Sequence, residues 1–233
     1  MKAMILSAGF GKRLQPLTLK YPKPLMKISK GTLLSNTINF IEKFGVNEAI
    51  INTHYLGDQI KNYIDNNKFN LNVKIINEEK EILDTGGGVL NAIQNFLNEP
   101  FLIINPDTIW NLSYLEELKM LKKDFFLKKN CKCCMLVVDK EKSFDRTIKG
   151  DFNLENGFIN RNNKDNLKYI YTGLQIIKPE VFSNFGEKKF SINKVWDRLI
   201  IKNELLGIES KLQFLHVSTL EIYKILKKKN FKS

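Results

Sequence analysis

A glycine-rich segment with two adjacent basic residues lies near the N-terminus. Residues 6–14 read Leu-Ser-Ala-Gly-Phe-Gly-Lys-Arg-Leu and directly follow an apolar run. Glycines in the turn between a first strand and a helix allow backbone N–H groups to approach a phosphate. The segment therefore predicts an anion-binding loop, and a plain turn with a surface Lys-Arg pair is the alternative. The candidate phosphate contacts are Ala8, Gly9, Gly11, Lys12 and Arg13.

Two familiar glycine motifs do not fit this loop. A dinucleotide fingerprint needs a third glycine where Leu14 stands. A P-loop needs Ser or Thr directly after its Gly-Lys pair, where this chain has Arg13. The loop therefore predicts a triphosphate cradle of a third kind.

Lys23 lies between two prolines, Pro22 and Pro24. Proline fixes its own backbone angle, so a lysine placed here has little conformational freedom. A lysine that must lie against a phosphate benefits from such restraint. We expect Arg13 and Lys23 to be the catalytic pair that neutralises phosphoryl oxygens, with Lys12 auxiliary or facing solvent.

Asp107 follows the apolar run at residues 101–104. Ligands of parallel sheets bind at the carboxyl ends of the strands, and Mg²⁺ takes few protein ligands beside phosphates and water. Asp107 is therefore predicted to bind Mg²⁺, and an aspartate that caps a loop is the alternative.

These residues resemble the signature of the sugar-1-phosphate nucleotidylyltransferases. The similarity is carried by Gly9-x-Gly11-x-Arg13-x-x-Pro16-Leu17-Thr18 and by Pro22-Lys23-Pro24-Leu25. The resemblance implies a reaction between a nucleoside triphosphate and a sugar 1-phosphate with Mg²⁺ as cofactor. A sugar 1-phosphate is already an anionic nucleophile, so this chemistry needs positioning and charge neutralisation rather than a general base.

The resemblance extends to further segments of the chain. It places Thr85 and Gly88 of a second glycine loop beside the nucleotide, and Glu79 or Glu81 as an acceptor for a base N–H, with loop solvation as the alternative for either glutamate. On the sugar side it implies roles for Thr108, Asp139, Gly150 and Gly173.

One position departs from the family pattern. Many members carry a second metal-binding aspartate where this chain has His216. Mg²⁺ prefers hard oxygen ligands over imidazole. His216 is therefore a doubtful metal ligand, and contact with a phosphate or metal-bound water, or a buried structural role, are the alternatives.

The motifs do not determine which nucleotide and which sugar 1-phosphate react. The first expectation is UTP with N-acetylmuramate 1-phosphate, a reaction of cell-wall recycling. Residues 1–6, the triple glycine and Gly150-Asp151-Phe152 resemble the members of the family that use this pair. A GTP-dependent mannose- or heptose-1-phosphate guanylyltransferase is the enzymatic alternative. A non-catalytic nucleotide-sensing homologue is the alternative of another class.

Short apolar strands alternate with helical patterns over the first 140 residues, which predicts an α/β fold of Rossmann-like type. The sheet is expected to be mixed and mostly parallel, with helices on both faces. Residues 150–177 suggest a small antiparallel addition, and strands are expected near 205–210 and 213–217. One domain over residues 1–233 is predicted, with a nucleotide-binding half at 1–110 and a sugar-binding half at 111–233.

Composition excludes several classes of protein. The 233 residues are 43% hydrophobic and 27% charged, which excludes a disordered or fibrous chain. The net charge of +12 comes mostly from scattered lysine, since only 4 of 37 basic residues are arginine, so nucleic-acid binding is disfavoured. Short apolar runs predict no membrane span, and a cytoplasmic protein with three unpaired strand cysteines is expected.

Overall fold

The computed structural model describes residues 1–78 and 81–229, and a nine-stranded sheet lies at its centre. In spatial order the strands are β5, β4, β1, β6, β10, β7, β11, β9 and β8. Their bounds are β1 Lys2–Leu6, β4 Glu48–Thr53, β5 Asn72–Asn77, β6 Phe101–Ile104, β7 Cys133–Asp139, β8 Asn153–Glu155, β9 Phe158–Asn160, β10 Tyr169–Ile177 and β11 Leu205–Ser210. Two short strands, β2 Lys27–Ile28 and β3 Gly31–Thr32, form a separate pair.

The first half of the sheet is parallel, as the alternating pattern predicts. β1 pairs in parallel with both β4 and β6, and β4 pairs in parallel with β5. β10 runs antiparallel between β6 and β7, inside the sheet, whereas the sequence suggested that it belonged to an appended layer. All but one of its nine residues are buried, which fits a strand that is covered on both faces.

The antiparallel addition consists of the hairpin of β8 and β9 at the sheet edge. Its turn contains Asn156 and Gly157, both with positive φ. This conformation is typical of a two-residue hairpin turn whose twist matches that of the strands. The resulting sheet is mixed and mostly parallel, as expected.

Helices cover both faces of the sheet. Residues of α1 Leu33–Lys43, α2 Gly57–Asp65 and α4 Tyr114–Leu127 pack on one face, and residues of α3 Asp84–Ala92 and α5 Asn193–Ile201 pack on the other. Helix α6 Leu220–Lys228 packs against β2 and the loop after β1. Within the described ranges, no helix is long and apolar enough to cross a membrane.

Side-chain alternation along each strand determines on which face of the sheet a side chain packs. In β1, Ala3 and Ile5 join the cluster beneath α1, whereas Met4 joins the opposite cluster beneath α3. Successive residues of a strand point to opposite faces, so a fully apolar strand can supply both layers. The apolar runs of the sequence thus become the centre of a three-layer core.

Helix α1 is bounded by local signals that the sequence contains. Thr32 and Ser35 form a capping box, in which each side-chain oxygen accepts the other residue's backbone N–H at 3.0 and 2.9 Å. After α1, Gly45 adopts a φ of 91°, which favours glycine and ends the helix.

Two elements differ from the sequence expectation. Helix α4 was not predicted, because its exposed side includes Met120, Phe126 and Leu127, which obscure the amphipathic pattern. The strand expected at 213–217 is reduced to single bridges made by Phe214 and His216, because these residues pair with loop segments rather than with a neighbouring strand.

The three cysteines are buried free thiols. Cys133 and Cys134 lie in β7, and Cys131 precedes it. They contribute to the apolar core on both faces of the sheet, as expected for unpaired strand cysteines.

Gly87 in α3 provides a test of the packing between α3 and the segment before α5. A Cβ atom at Gly87 would lie 2.2 Å from the carbonyl oxygen of Lys188, and backbone cannot yield as a flexible side chain does. We expect Gly87→Ala to lower the free energy of unfolding by about 1–3 kcal/mol in denaturant titration, despite the higher helix propensity of alanine. Gly186→Ala, where a Cβ meets nothing within 4 Å, is the matched control. Equal stability of the two variants would contradict this packing.

Candidate active site

A cavity of about 360 Å³ lies at the carboxyl ends of β1, β4 and β6. This is the edge at which parallel α/β sheets bind ligands. The cavity is lined by the end of β1 with its following loop, the segment around Pro24, the start of α3 and the loop after β6: Leu6, Ser7, Ala8, Gly9, Gly11, Lys12, Arg13, Leu14, Lys23, Pro24, Asn52, Ile82, Asp84, Thr85, Asn105, Pro106 and Asp107.

The glycine-rich loop forms one wall of the cavity. A Cβ at Gly9 would meet nothing within 4 Å, so this backbone is open to a ligand. Gly11 has a φ of 62°, and a Cβ there would lie 2.9 Å from Thr18 Cγ2. The Thr18 hydroxyl donates to the Gly11 carbonyl at 2.9 Å, and buried Leu14 anchors the turn that follows. The loop is therefore held in place while its backbone and basic side chains face the cavity.

Lys23 forms an ion pair with Asp107 across the cavity. The Lys23 ammonium donates to Asp107 Oδ2 at 2.6 Å, and both side chains are largely buried. Pro22 and Pro24 restrain the backbone on either side, as the sequence predicts. The pair brings the segment after the glycine loop to the end of β6, 84 residues away in the chain.

Asp107 is held as a carboxylate. Burial alone would raise the pKa of its carboxyl group, but the positive charge of Lys23 and the hydrogen bonds from Lys23 and His216 outweigh burial and hold this pKa well below its usual range. Its second oxygen, Oδ1, is buried and has no hydrogen-bond partner in the described part of the chain. This oxygen is available to a ligand.

His216 lies against the same carboxylate. Its Nε2 is 3.1 Å from Asp107 Oδ2, and its ring is stacked on Phe214, with ring centroids 5.5 Å apart. The backbone is fixed by a bridge to Thr108 and by the Val217 N–H, which donates to the Asp107 carbonyl at 2.8 Å. His216 therefore faces the site from a rigid position.

The sequence interpretation missed a buried polar network beneath the glycine loop. Asn52 Oδ1 accepts the Ser7 N–H at 3.0 Å, and Asn52 Nδ2 donates to Glu78 Oε1 at 2.7 Å. The other Glu78 oxygen accepts the Leu83 N–H at 2.8 Å. Asn52 lies near the carboxyl end of β4, the buried strand next to β1, and that position was the available signal.

Most of the residues predicted to bind the nucleotide lie in the cavity. Ala8, Gly9, Gly11, Lys12, Arg13, Lys23, Thr85 and Asp107 line the cavity together. Gly88 lies under the Asn52–Glu78 pair, where a Cβ would be 2.7 Å from both side chains, so it serves close packing beneath the loop. Glu79 lies outside the described residues, and Glu81 pairs with Lys189 at 3.3 Å.

The residues expected on the sugar side are engaged within the protein and do not line this cavity. Thr108 donates to the Thr172 carbonyl at 2.7 Å, and Asp139 pairs with Lys168 at 3.1 Å. A Cβ at Gly150 would lie 2.2 Å from the Leu167 carbonyl oxygen. Gly173 packs against Asn105, which itself lines the cavity, so its strand reaches the cavity wall.

The donor set fits a metal that takes few protein ligands. Among the described residues, no group of three or more His, Cys, Asp or Glu side chains could enclose a cation. Asp107 offers an unpartnered oxygen beside a cavity large enough for phosphates. Such a site suits a divalent cation whose remaining ligands are phosphate oxygens and water.

A family model described as nucleotidyl transferase matches residues 2–144. The chain belongs to this family and is a nucleotidyltransferase. It is 24% identical over 220 residues to an N-acetylmuramate alpha-1-phosphate uridylyltransferase of Caulobacter vibrioides, covering 92% of this chain and 90% of that protein. It is 28% identical over 222 residues to mannose-1-phosphate guanylyltransferase catalytic subunit beta of Xenopus tropicalis, covering 90% of this chain and 59% of that protein.

Two solved structures of other proteins superpose on this fold. HddC of Yersinia pseudotuberculosis superposes with a TM-score of 0.74 at 23% identity, over 97% of this chain and 98% of that chain. A putative glucose-1-phosphate thymidylyltransferase from Bacillus anthracis superposes with a TM-score of 0.75 at 18% identity, over 100% and 98%. The architecture predicted from the alternating elements is therefore that of known nucleotidyltransferases.

The role of Asn52 in supporting the glycine loop can be tested by removing its amide. Asn52→Ala leaves the buried Ser7 N–H and Glu78 Oε1 without partners, so we expect the free energy of unfolding to fall by about 2–3 kcal/mol. Denaturant titration measures the change. Asn67→Ala is the control, because this exposed amide donates to the Tyr63 carbonyl and water can replace it. Equal effects at both positions would contradict a supporting role for Asn52.

Proposed function

We propose that this enzyme transfers UMP from UTP to N-acetylmuramate 1-phosphate, releasing pyrophosphate, with Mg²⁺ as its metal. The observation that carries the proposal is the similarity to the N-acetylmuramate alpha-1-phosphate uridylyltransferase of Caulobacter vibrioides, which extends over nearly the full length of both chains. A second such enzyme, from Neisseria meningitidis serogroup B, is 34% identical over 115 residues, covering 49% of this chain and 50% of that protein.

The glycine loop would bind the triphosphate. The open backbone at Gly9 and the basic side chains of Lys12 and Arg13 line the cavity on the same side. Backbone N–H groups and cations complement phosphate oxygens, and Arg13 can contact two oxygens at once through its planar guanidinium group. Arg13 is thus suited to the pyrophosphate that leaves.

Lys23 would neutralise the phosphoryl group under attack. Its ammonium lies against Asp107 and between restrained prolines, so it is positioned before the substrate arrives. Positioned charge stabilises a transition state at little reorganisation cost. The sugar phosphate oxygen attacks the α-phosphorus, the bond to pyrophosphate breaks, and no proton has to be removed from the nucleophile.

Asp107 would hold the metal through Oδ1, the oxygen without a protein partner. When bound, Mg²⁺ neutralises phosphate oxygens and aligns the two substrates. Lys23 and His216 hold the pKa of Asp107 below its usual range, which favours the carboxylate form that binds a metal.

A guanylyltransferase acting on mannose or heptose 1-phosphate is the second candidate. It is favoured by the match to the Xenopus tropicalis guanylyltransferase subunit over 222 residues and by a neighbouring structure, HddC, that was solved with GMP-PN. Uracil and guanine both present a ring N–H to an acceptor, so the same site could accept either base.

The substrate assignment can be tested with a pyrophosphate-release assay. UTP, GTP, dTTP and CTP are each paired with N-acetylmuramate, mannose, glucose and heptose 1-phosphates. We expect kcat/KM for UTP with N-acetylmuramate 1-phosphate to exceed every other pair by at least roughly tenfold, because a mismatched base leaves polar groups unpaired. Preference for GTP with mannose or heptose 1-phosphate would replace the proposal with the second candidate.

Lys23 provides a test of the catalytic assignment. Lys23→Ala removes the cation nearest Asp107, and we expect kcat to fall on the order of 100- to 1,000-fold in the same assay. Lys20→Ala, an exposed lysine of the neighbouring turn outside the cavity, is the matched control and should retain kcat. Full turnover of Lys23→Ala would remove Lys23 from the mechanism.

A further inference from the structure

We propose that Phe10 is a positioning residue that fixes the glycine loop against the segment after β4, so that the loop is in place before a triphosphate arrives. This inference rests on the part of the proposed function that puts the triphosphate at this loop. Phe10 stands between Gly9 and Gly11, and its side chain is not part of the cavity lining. It therefore acts through the loop and not by contact with the substrate.

The backbone of the loop has few attachments of its own. In the described part of the chain, the N–H and carbonyl groups of residues 8–10 form no hydrogen bond. The attachments on either side are the Ser7 N–H, which donates to Asn52, and the Gly11 carbonyl, which accepts the Thr18 hydroxyl. Free backbone groups suit a segment that binds phosphate, but they do not fix its position. A side chain from within the loop can supply the missing attachment.

Phe10 makes this attachment through two aromatic rings. Its ring meets the His54 ring edge to face, with centroids 5.8 Å apart and planes at 88°. It also contacts the Tyr55 ring, with centroids 5.5 Å apart. Both separations fall in the range that aromatic pairs prefer. The Phe10 ring therefore holds the middle of the loop against a wall formed by His54 and Tyr55.

His54 is itself held in place. Its Nδ1 lies 2.6 Å from the Glu78 carbonyl oxygen, which can only accept, so this nitrogen carries the proton. The Glu78 N–H donates to the Thr53 carbonyl at 2.8 Å. The Glu78 side chain accepts from Asn52, which in turn accepts the Ser7 N–H. The start and the middle of the glycine loop are thus attached to the same buried network.

Phe10 also orients Lys12. The Lys12 ammonium lies 5.6 Å from the centre of the Phe10 ring, which is a cation–π distance, and Lys12 lines the cavity. An exposed lysine otherwise samples many rotamers, and losing that freedom on binding weakens affinity. The ring therefore positions both the backbone of the loop and one of its cations.

A loop that is fixed in advance binds phosphate at a lower entropic cost. A free loop would have to be ordered when the ligand binds, and that cost is subtracted from the affinity. An aromatic contact of ordinary strength corresponds to a change of roughly five- to tenfold in a dissociation constant. The same loss applies to any ligand whose phosphates bind the loop, whichever base it carries.

The test measures binding of UTP, GTP and inorganic pyrophosphate to the full chain by isothermal titration calorimetry with Mg²⁺ present. We expect Phe10→Ala to weaken pyrophosphate and every nucleotide that binds the wild type by roughly five- to tenfold. Phe10→Tyr keeps the ring and should bind as the wild type does. Tyr21→Ala removes an aromatic ring that is 59% exposed and lies outside the cavity, so this matched control should change no affinity.

Two further measurements separate positioning from a general effect on folding. In Phe10→Ala, KM for the sugar 1-phosphate should stay unchanged, because that substrate does not depend on the loop. Tyr55→Ala should also weaken the binding of phosphates, and the double variant should bind no more weakly than Phe10→Ala, since both changes remove one contact. Tyr55→Ala approaches that contact from the other side, so the test remains decisive if Phe10→Ala folds poorly.

The outcomes separate this inference from the proposed function. Weaker nucleotide binding with unchanged pyrophosphate binding would mean that Phe10 contacts the base, and the positioning role would be wrong. Unchanged binding of all ligands, or an equal loss for the sugar 1-phosphate, would also overturn it, while transfer from UTP to N-acetylmuramate 1-phosphate leaves the proposed function standing. A loss that is independent of the base, in a chain that transfers no nucleotide from UTP, would support the role of Phe10 and overturn the proposed substrates.

Discussion

The parallel pairing of β1 with β4 on one side and with β6 on the other is the constraint on which the site depends. Met4 is aligned with Ile50 in one neighbour and Ile103 in the other, so the three strands end at one level. Their apolar side chains enter both core layers, and a one-residue slip would exchange those layers. The register therefore determines that the three loops after these strands meet.

The polar contacts at that edge hold the loops in a fixed relation to each other. The Lys23–Asp107 pair joins the segment after the glycine loop to β6, and Asn52 joins the glycine loop to the segment after β5. These contacts are buried or partly buried, where unsatisfied groups are costly. The cavity is thus shaped before a substrate arrives, which favours catalysis by positioning.

The charge of the cavity comes from a few lining residues and not from the many lysines that give the whole chain its net charge. The cavity lining includes the cations Lys12, Arg13 and Lys23 against the carboxylates Asp84 and Asp107. A small positive excess at short range suits a polyanionic substrate, and distant surface charges are screened by salt. Most of the net charge of +12 lies elsewhere on the surface and is not needed for this recognition.

Local signals in the sequence were sufficient to predict the glycine-rich loop and the restrained position of Lys23. Each depends on neighbouring residues, such as Pro22 and Pro24 on either side of Lys23. The central position of β10 was missed because strand order depends on pairing between distant segments, which no local pattern specifies. Helix α4 was missed because exposed apolar residues hide its amphipathic period.

The sequence by itself predicted a phosphate-binding loop, because glycines, prolines and basic residues act through local backbone geometry and charge that a short motif contains. The resemblance of those motifs to a known family then indicated the class of chemistry. Only the tertiary structure decided that Lys23 and His216 both contact Oδ2 of Asp107, since these two contacts join residues that are 84 and 109 positions apart in the chain. It also decided that Gly88 supports the Asn52–Glu78 network from below. The physical reason is that hydrogen bonds and ion pairs depend on distances of a few ångströms, and those distances follow from the register of the whole sheet.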